Sequence, residues 1–158
     1  MPTTPAKRAG GPYPFRRGRY FEKLPPRLDH ATVGDALQFP LLIFPAETPL
    51  RSVAQSMAAN RVHSVVVRGA AHGYEGWGVI TDATLVDALA ERNLDATAGE
   101  LATAPAVTAG LDQPLLHAAD LMRKGRTTHL LVLDPDSHRP TGILAALDLA
   151  ATWTWGTG

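Results

Sequence analysis

The sequence predicts an α+β fold in which an irregular N-terminal tail is followed by two copies of one unit, each ordered α-β-α-β-β-α. Three observations lead there. Residues Thr32 to Val67 and Thr97 to Val132 align without a gap at an offset of 65, with nine identical pairs, among them Thr32/Thr97, Gly34/Gly99, Pro49/Pro114, Met57/Met122 and Val67/Val132. After a one-residue slip, GVITDATL from Gly78 faces GILAALDL from Gly142. Within each copy, apolar residues switch between helical spacing and short β-branched or leucine-rich runs. The first 29 residues show neither pattern. A unit this short cannot bury its own apolar face, so the two copies are expected to pack as one body with function in the cleft between them. The boundaries read as 1–29 for the tail, 30–93 for the first repeat and 94–156 for the second.

In order along the first copy, Thr32 caps a short helical turn with Asp35 at its third position. Leu41 to Phe44 is a short apolar strand. Pro49 stands at the first turn of the next helix, where a missing N–H costs nothing. Leu50, Val53, Ala54, Met57 and Ala58 then form one buried face. Asn60 and Gly125 are the expected left-handed caps of this helix and its repeat. Val62 to Arg68 and Thr128 to Leu133 read as strands, returned by Gly76 to Thr81 and Thr141 to Leu144 as hairpins. Thr81 and Asp82 open a final helix carrying Leu85, Val86, Ala88 and Leu89. Its counterpart runs from Ala145 to about Trp153.

Composition bounds the function. Hydrophobic residues make up 45% of the chain, enough for a core. Without cysteine there is neither disulfide nor thiolate-bound metal. The longest stretch lacking strongly polar residues, Phe39 to Ala46, is far below the ~20 residues a membrane helix needs. The first thirty residues hold no apolar signal-peptide core, so a cytoplasmic chain without a membrane partner is expected. Net charge is zero, yet residues 1–30 carry +5 and the remainder −5. An acidic body argues against a nucleic-acid platform there. In the tail, Tyr13, Phe15, Tyr20 and Phe21 alternate with Arg16, Arg17 and Arg19, a mixture that can grip a partner, stack on single strands or fold back on the body.

The repeat, the order of elements and the strand-to-helix junction together resemble a tandem pair of cystathionine-β-synthase (CBS) domains, a Bateman module, over residues 32–154. The family junction is Gly, two apolar residues, Ser or Thr, two variable residues, then Asp or Asn. The resemblance implies two repeats about a pseudo-twofold axis, with clefts for adenosyl ligands such as AMP, ADP, ATP or S-adenosylmethionine. The hydroxyl caps a helix beside the ligand, and the acid accepts both ribose hydroxyls. Neither copy is intact. Gly78, Val79, Ile80 and Thr81 match, but Thr84 stands at the acid position. Gly142, Ile143, Leu144 and Asp148 match, but Ala145 replaces the hydroxyl.

Losing a charged acceptor costs more than losing one neutral contact. The second cleft is therefore the preferred one, with Thr103, Pro105, Ala106, Thr127, Thr128, His129, Ala145 and Asp148. The first, weaker cleft comprises Gln38, Pro40, Leu41, Val62, His63, Ser64, Thr81 and Thr84. No basic residue separates hydroxyl and acid positions in either copy, which weighs against a polyphosphate, with Arg61 and Arg126 as candidate phosphate contacts.

The six histidines form no i,i+4 pair, so no metal site is expected. No nucleophile elbow, phosphate loop or dinucleotide fingerprint is present, and Asp148 alone is no acid–base pair, so no enzyme is expected. The expectation is a regulatory module that binds an adenosyl ligand, forms a homodimer and modulates an unidentified partner protein. The alternatives are a ligand-free scaffold for protein–protein interaction and, from the tail, a nucleic-acid accessory protein. Of Trp153 and Trp155, one is expected to pack on the body and the other to be exposed.

Overall fold

The computed structural model describes residues 26–37, 41–70, 76–105 and 107–156. The aromatic–basic tail, to residue 25, lies outside them. Six helices and six strands occur among the described residues: α1 Val33–Ala36, β1 Ile43–Pro45, α2 Leu50–Asn60, β2 Ser64–Arg68, β3 Trp77–Thr81, α3 Asp82–Ala90, α4 Ala98–Leu101, β4 Thr108–Gly110, α5 Leu115–Gly125, β5 His129–Leu133, β6 Pro140–Ala145 and α6 Ala146–Trp155. This is the α+β order the repeat predicts, twice over.

Each repeat makes one three-stranded sheet, ordered β1-β2-β3 and β4-β5-β6. The first strand runs parallel to the second, and the third returns antiparallel. Pro49 and Pro114 occupy the cap positions of α2 and α5, as their missing N–H allows. One local expectation fails by a single residue. Asn60 and Gly125 are still helical, and the left-handed residues are Arg61 and Arg126, at φ 51° and 50°. There the cap N–H of each arginine reaches back to two carbonyls of the last turn, which outweighs the side chain's ordinary aversion to positive φ.

The two halves exchange their leading helices. Val33 and Gly34 of α1 donate backbone hydrogen bonds to Gln113 and Leu111 of the second repeat, each at 2.9 Å. Ala98 and Gly99 of α4 donate to Thr48 and Ala46 of the first, each at 2.7 Å. Short bridges Thr32–Pro114 and Pro49–Thr97 close the same reciprocal pattern. The cores follow suit. Ala31, Val33, Ala36 and Leu37 are buried with Leu115, Met122, Leu130, Val132 and Leu144 of the second repeat. Ala98 and Ala102 are buried with Leu50, Val53, Met57, Val65, Val67 and Ile80 of the first. Each core is thus one repeat's sheet and helices sealed by the other repeat's short helix.

The two junction glycines make this exchange sterically feasible. A Cβ on Gly78 would stand 2.8 Å from Ala70 Cβ and 2.9 Å from Ala102 Cβ. On Gly142 it would stand 2.7 Å from Leu37 Cδ2. Ala102 and Leu37 are repeat equivalents, each the C-terminal cap of a leading helix seated against the other repeat's return strand. At the far end, Trp153 is 72% exposed whereas Trp155 is half-buried, dividing the pair as expected.

Candidate functional site

The exchange carries the chain beyond α4 onto the edge of the first sheet. Thr103 accepts a 2.8 Å hydrogen bond from Val79 N–H and donates one of 3.2 Å to Val79 O. Thr103 to Pro105 are thereby laid beside the β3–α3 junction of the other repeat. Between the two sheets this leaves a cleft of about 220 Å³. One wall is Val79, Thr81 and Thr84, and another is Thr103, Ala104 and Pro105. Gly125, Arg126 and Thr127 contribute the end of α5, and His129, Leu131 and Ile143 face in from β5 and β6.

At the α3 end, Thr81 and Thr84 cap one another. Thr81 N–H donates to Thr84 Oγ1 at 3.2 Å, Thr84 N–H donates to Thr81 Oγ1 at 3.4 Å, and the two hydroxyls lie 3.4 Å apart. Asp82, next along the helix, points elsewhere: Oδ1 accepts from Ala83 N–H, and Oδ2 lies 3.0 Å from His63 Nδ1. On the β5 side, Thr127 Oγ1 donates to His129 O at 3.1 Å and accepts from His129 N–H at 3.2 Å. Thr128 Oγ1 lies 3.1 Å from His129 Nδ1 and so fixes the imidazole's orientation. Burial pushes the His129 pKa below its ordinary value, an effect that Asp82 opposes and His63 reinforces. The ring is therefore held neutral at pH 7. Arg126, exposed at the rim, carries the one formal charge among the described residues that line the cleft.

The structure groups the sequence-derived residues differently from a repeat-by-repeat reading. Thr103, Pro105, Thr127 and His129 of the second set share their cleft with Thr81 and Thr84 of the first, and Arg126 joins them. Ala145 and Asp148, assigned to the same cleft as Thr103, are not among its lining residues. Asp148 is 6% exposed, and its Oδ2 accepts from Ala145 N–H at 2.8 Å, which retains the acid half of a capping box. Leu41, Arg61, Val62, His63 and Ser64 also stand outside this cleft, and Gln38, Pro40 and Ala106 lie outside the described residues. The cause is the exchange: a leading segment lines the other repeat's junction, not its own.

Val79 and Ile143, matched only as apolar residues of the two junctions, and Leu131 were not assigned to a cleft from sequence. The signal was available in strand alternation, because Val79 and Thr81 on β3, and His129 and Leu131 on β5, share a face at period two. Among the described residues no cluster of three or more His, Asp or Glu side chains could hold a metal. None of their helices is long and apolar enough to cross a membrane.

The CBS-domain family model matches residues 33–91 and again 98–152. The chain belongs to the CBS-domain family. Solved CBS pairs share its architecture. Two structures of the CBS domain pair of protein MJ0100 in complex with 5′-methylthioadenosine and S-adenosyl-L-methionine match at 24% and 25% identity with TM-scores of 0.67 and 0.65. They cover 78% and 76% of this chain and 96% and 97% of theirs. The CBS domain protein PAE2072 from Pyrobaculum aerophilum, complexed with AMP, matches at 26% identity and TM-score 0.64, over 74% of this chain and 88% of its own. No curated protein sequence matches the chain significantly. In the CBS pair described above, the cleft at the Thr81–Thr84 junction is the candidate ligand site.

Proposed function

We propose that this CBS pair is a regulatory binding module, not a catalyst, that takes an adenosyl-type ligand in the cleft between its repeats and passes the occupancy to a partner protein. The observation that carries this reading is the meeting of four elements in one cavity: a capped helix start, two backbone-rich segments and a neutral imidazole, around apolar Val79, Leu131 and Ile143. Ordinary ligand pockets begin at about 300 Å³. A cavity of about 220 Å³ suits a nucleoside whose substituent extends through the mouth toward Arg126. The AMP bound to PAE2072 and the adenosyl ligands bound to MJ0100 support the ligand class. Thermal-shift titration against AMP, ADP, ATP and S-adenosylmethionine tests it. A ligand at a hundred times its Kd adds about 2.7 kcal/mol of stability. Flat curves across that panel would count against binding.

A second reading is an interaction scaffold, favoured by the exposed apolar side chains of α3 and α6. Val86 is 63% exposed, Leu89 60% and Trp153 72%. A homodimer through these helices would cover them, and concentration-dependent sedimentation distinguishes it from a monomer. Dimerisation is compatible with ligand binding, so the scaffold reading prevails only if every titration is flat.

A further inference from the structure

In four of the six described helices the side chain at the third helical position accepts from the N-cap N–H, and in three it is a carboxylate: Asp35 in α1, Glu100 in α4 and Asp148 in α6. In α3 that position is the hydroxyl of Thr84, and α3 is the helix whose first turn lines the cleft. A carboxylate can accept hydrogen bonds from two neighbouring sugar hydroxyls at once, and such charge-assisted bonds are about twice as strong as neutral ones. Thr84 Oγ1 already accepts from Thr81 N–H, which leaves one O–H and a single lone pair, too few for two sugar hydroxyls at once. Among the described residues, none that lines the cleft is acidic. The nearest acid on α3, Asp82, is turned onto His63 and its own helix. The first turn of α3 therefore offers the cleft two mutually engaged hydroxyls and no carboxylate to take a sugar diol in paired fashion.

We infer that this cleft binds adenine nucleotides without reading the ribose 2′-hydroxyl, and accepts a phosphate on the 3′-oxygen that a carboxylate at residue 84 would repel. The inference rests on the adenosyl reading above and narrows it to a sugar-indifferent nucleotide site. A site built to bond a hydroxyl rejects the analogue lacking it by orders of magnitude, whereas one without the acceptor loses little.

Calorimetric titration of the full chain with 5′-AMP, 2′-deoxy-5′-AMP and 3′-AMP tests this. The deoxy and ribose 5′-nucleotides should bind within about threefold of each other, and 3′-AMP within about tenfold. Thr84→Asp should then open the ribose/deoxyribose ratio to about tenfold or more and weaken 3′-AMP. That variant installs the arrangement Asp35 and Asp148 already adopt in this chain, and its fold is checked by thermal unfolding. If AMP binds the unaltered protein at least tenfold tighter than its deoxy form, the inference is overturned while the adenosyl reading stands. An unchanged ratio in Thr84→Asp also overturns it, by placing the sugar away from residue 84. Absence of binding by all three nucleotides overturns this inference, and the adenosyl reading falls with it only if ADP, ATP and S-adenosylmethionine also leave the protein unchanged.

Discussion

Substituting Val33 by Ala should weaken the core of the second repeat, although Val33 belongs by sequence to the first. Val33 is fully buried among Leu115, Leu130, Val132 and Leu144. Two carbons are lost, worth about 1.6 kcal/mol at roughly 0.8 kcal/mol per buried CH₂. The unrelaxed cavity raises the cost to about 2–3 kcal/mol. Val67 and Val132 offer a matched pair of second substitutions, being repeat equivalents that are both fully buried, one in each core. Val33→Ala combined with Val132→Ala shares a core and should depart from additivity by about 0.5–3 kcal/mol. Combined with Val67→Ala it should add to within about 0.5 kcal/mol. Urea unfolding of the three single and two double variants yields both coupling energies. Equal coupling to both valines, or stronger coupling to Val67, would refute the exchange of leading helices.

Gly78→Ala should cost about 1–3 kcal/mol by overpacking, since its Cβ would press on two rigid alanine methyls, and denaturant midpoints will read it. Arg61→Gly should stabilise the chain by about 0.5–1 kcal/mol, because Arg61 is exposed and holds a left-handed conformation that glycine adopts freely; a fall in Tm refutes this. His129 has a pKa lowered from 6.5, chiefly by burial. The native state thus takes up a proton less readily than the unfolded one. Its contribution to stability is full above pH 6.5 and is lost as pH falls from there through the folded pKa. Proton NMR should show the ring titrating below 6.5, and His129→Gln should flatten that part of the stability profile. Asp148→Ala should cost about 1 kcal/mol through the lost acceptor for Ala145 N–H and leave nucleotide affinity in the Thr81–Thr84 cleft unchanged.

Much of this architecture was legible before any coordinate. The 65-residue offset, the Pro49/Pro114 helix starts and the paired hairpins fix the order of elements, because each is a local preference written into a few neighbouring residues. What local preference does not carry is which copy a four-residue helix packs against. Val33 and Ala36 read as a buried face, but the residues they are buried with, Leu115 and Val132, belong to the other repeat. The site residues were affected in the same way. Thr103, Thr127 and His129 were singled out, and so were Thr81 and Thr84, yet their convergence depends on the Val79–Thr103 bridge between repeats. The left-handed arginines were missed because propensity favours Gly125 or Asn60, whereas the last-turn carbonyls set the cap one residue later.

The reciprocal seating of α1 and α4 also bears on how the two halves find each other. Thr32–Pro114 and Pro49–Thr97 are the same contact made twice, as two separate molecules of one repeat would make it about a twofold axis. The connection from Glu91 to Ala96 converts that encounter into an intramolecular one, at effective concentrations in the millimolar range for a short tether. Cleaving the tether should therefore leave fragments that reassociate at sufficient concentration, with dilution now separating what the peptide bond had held together.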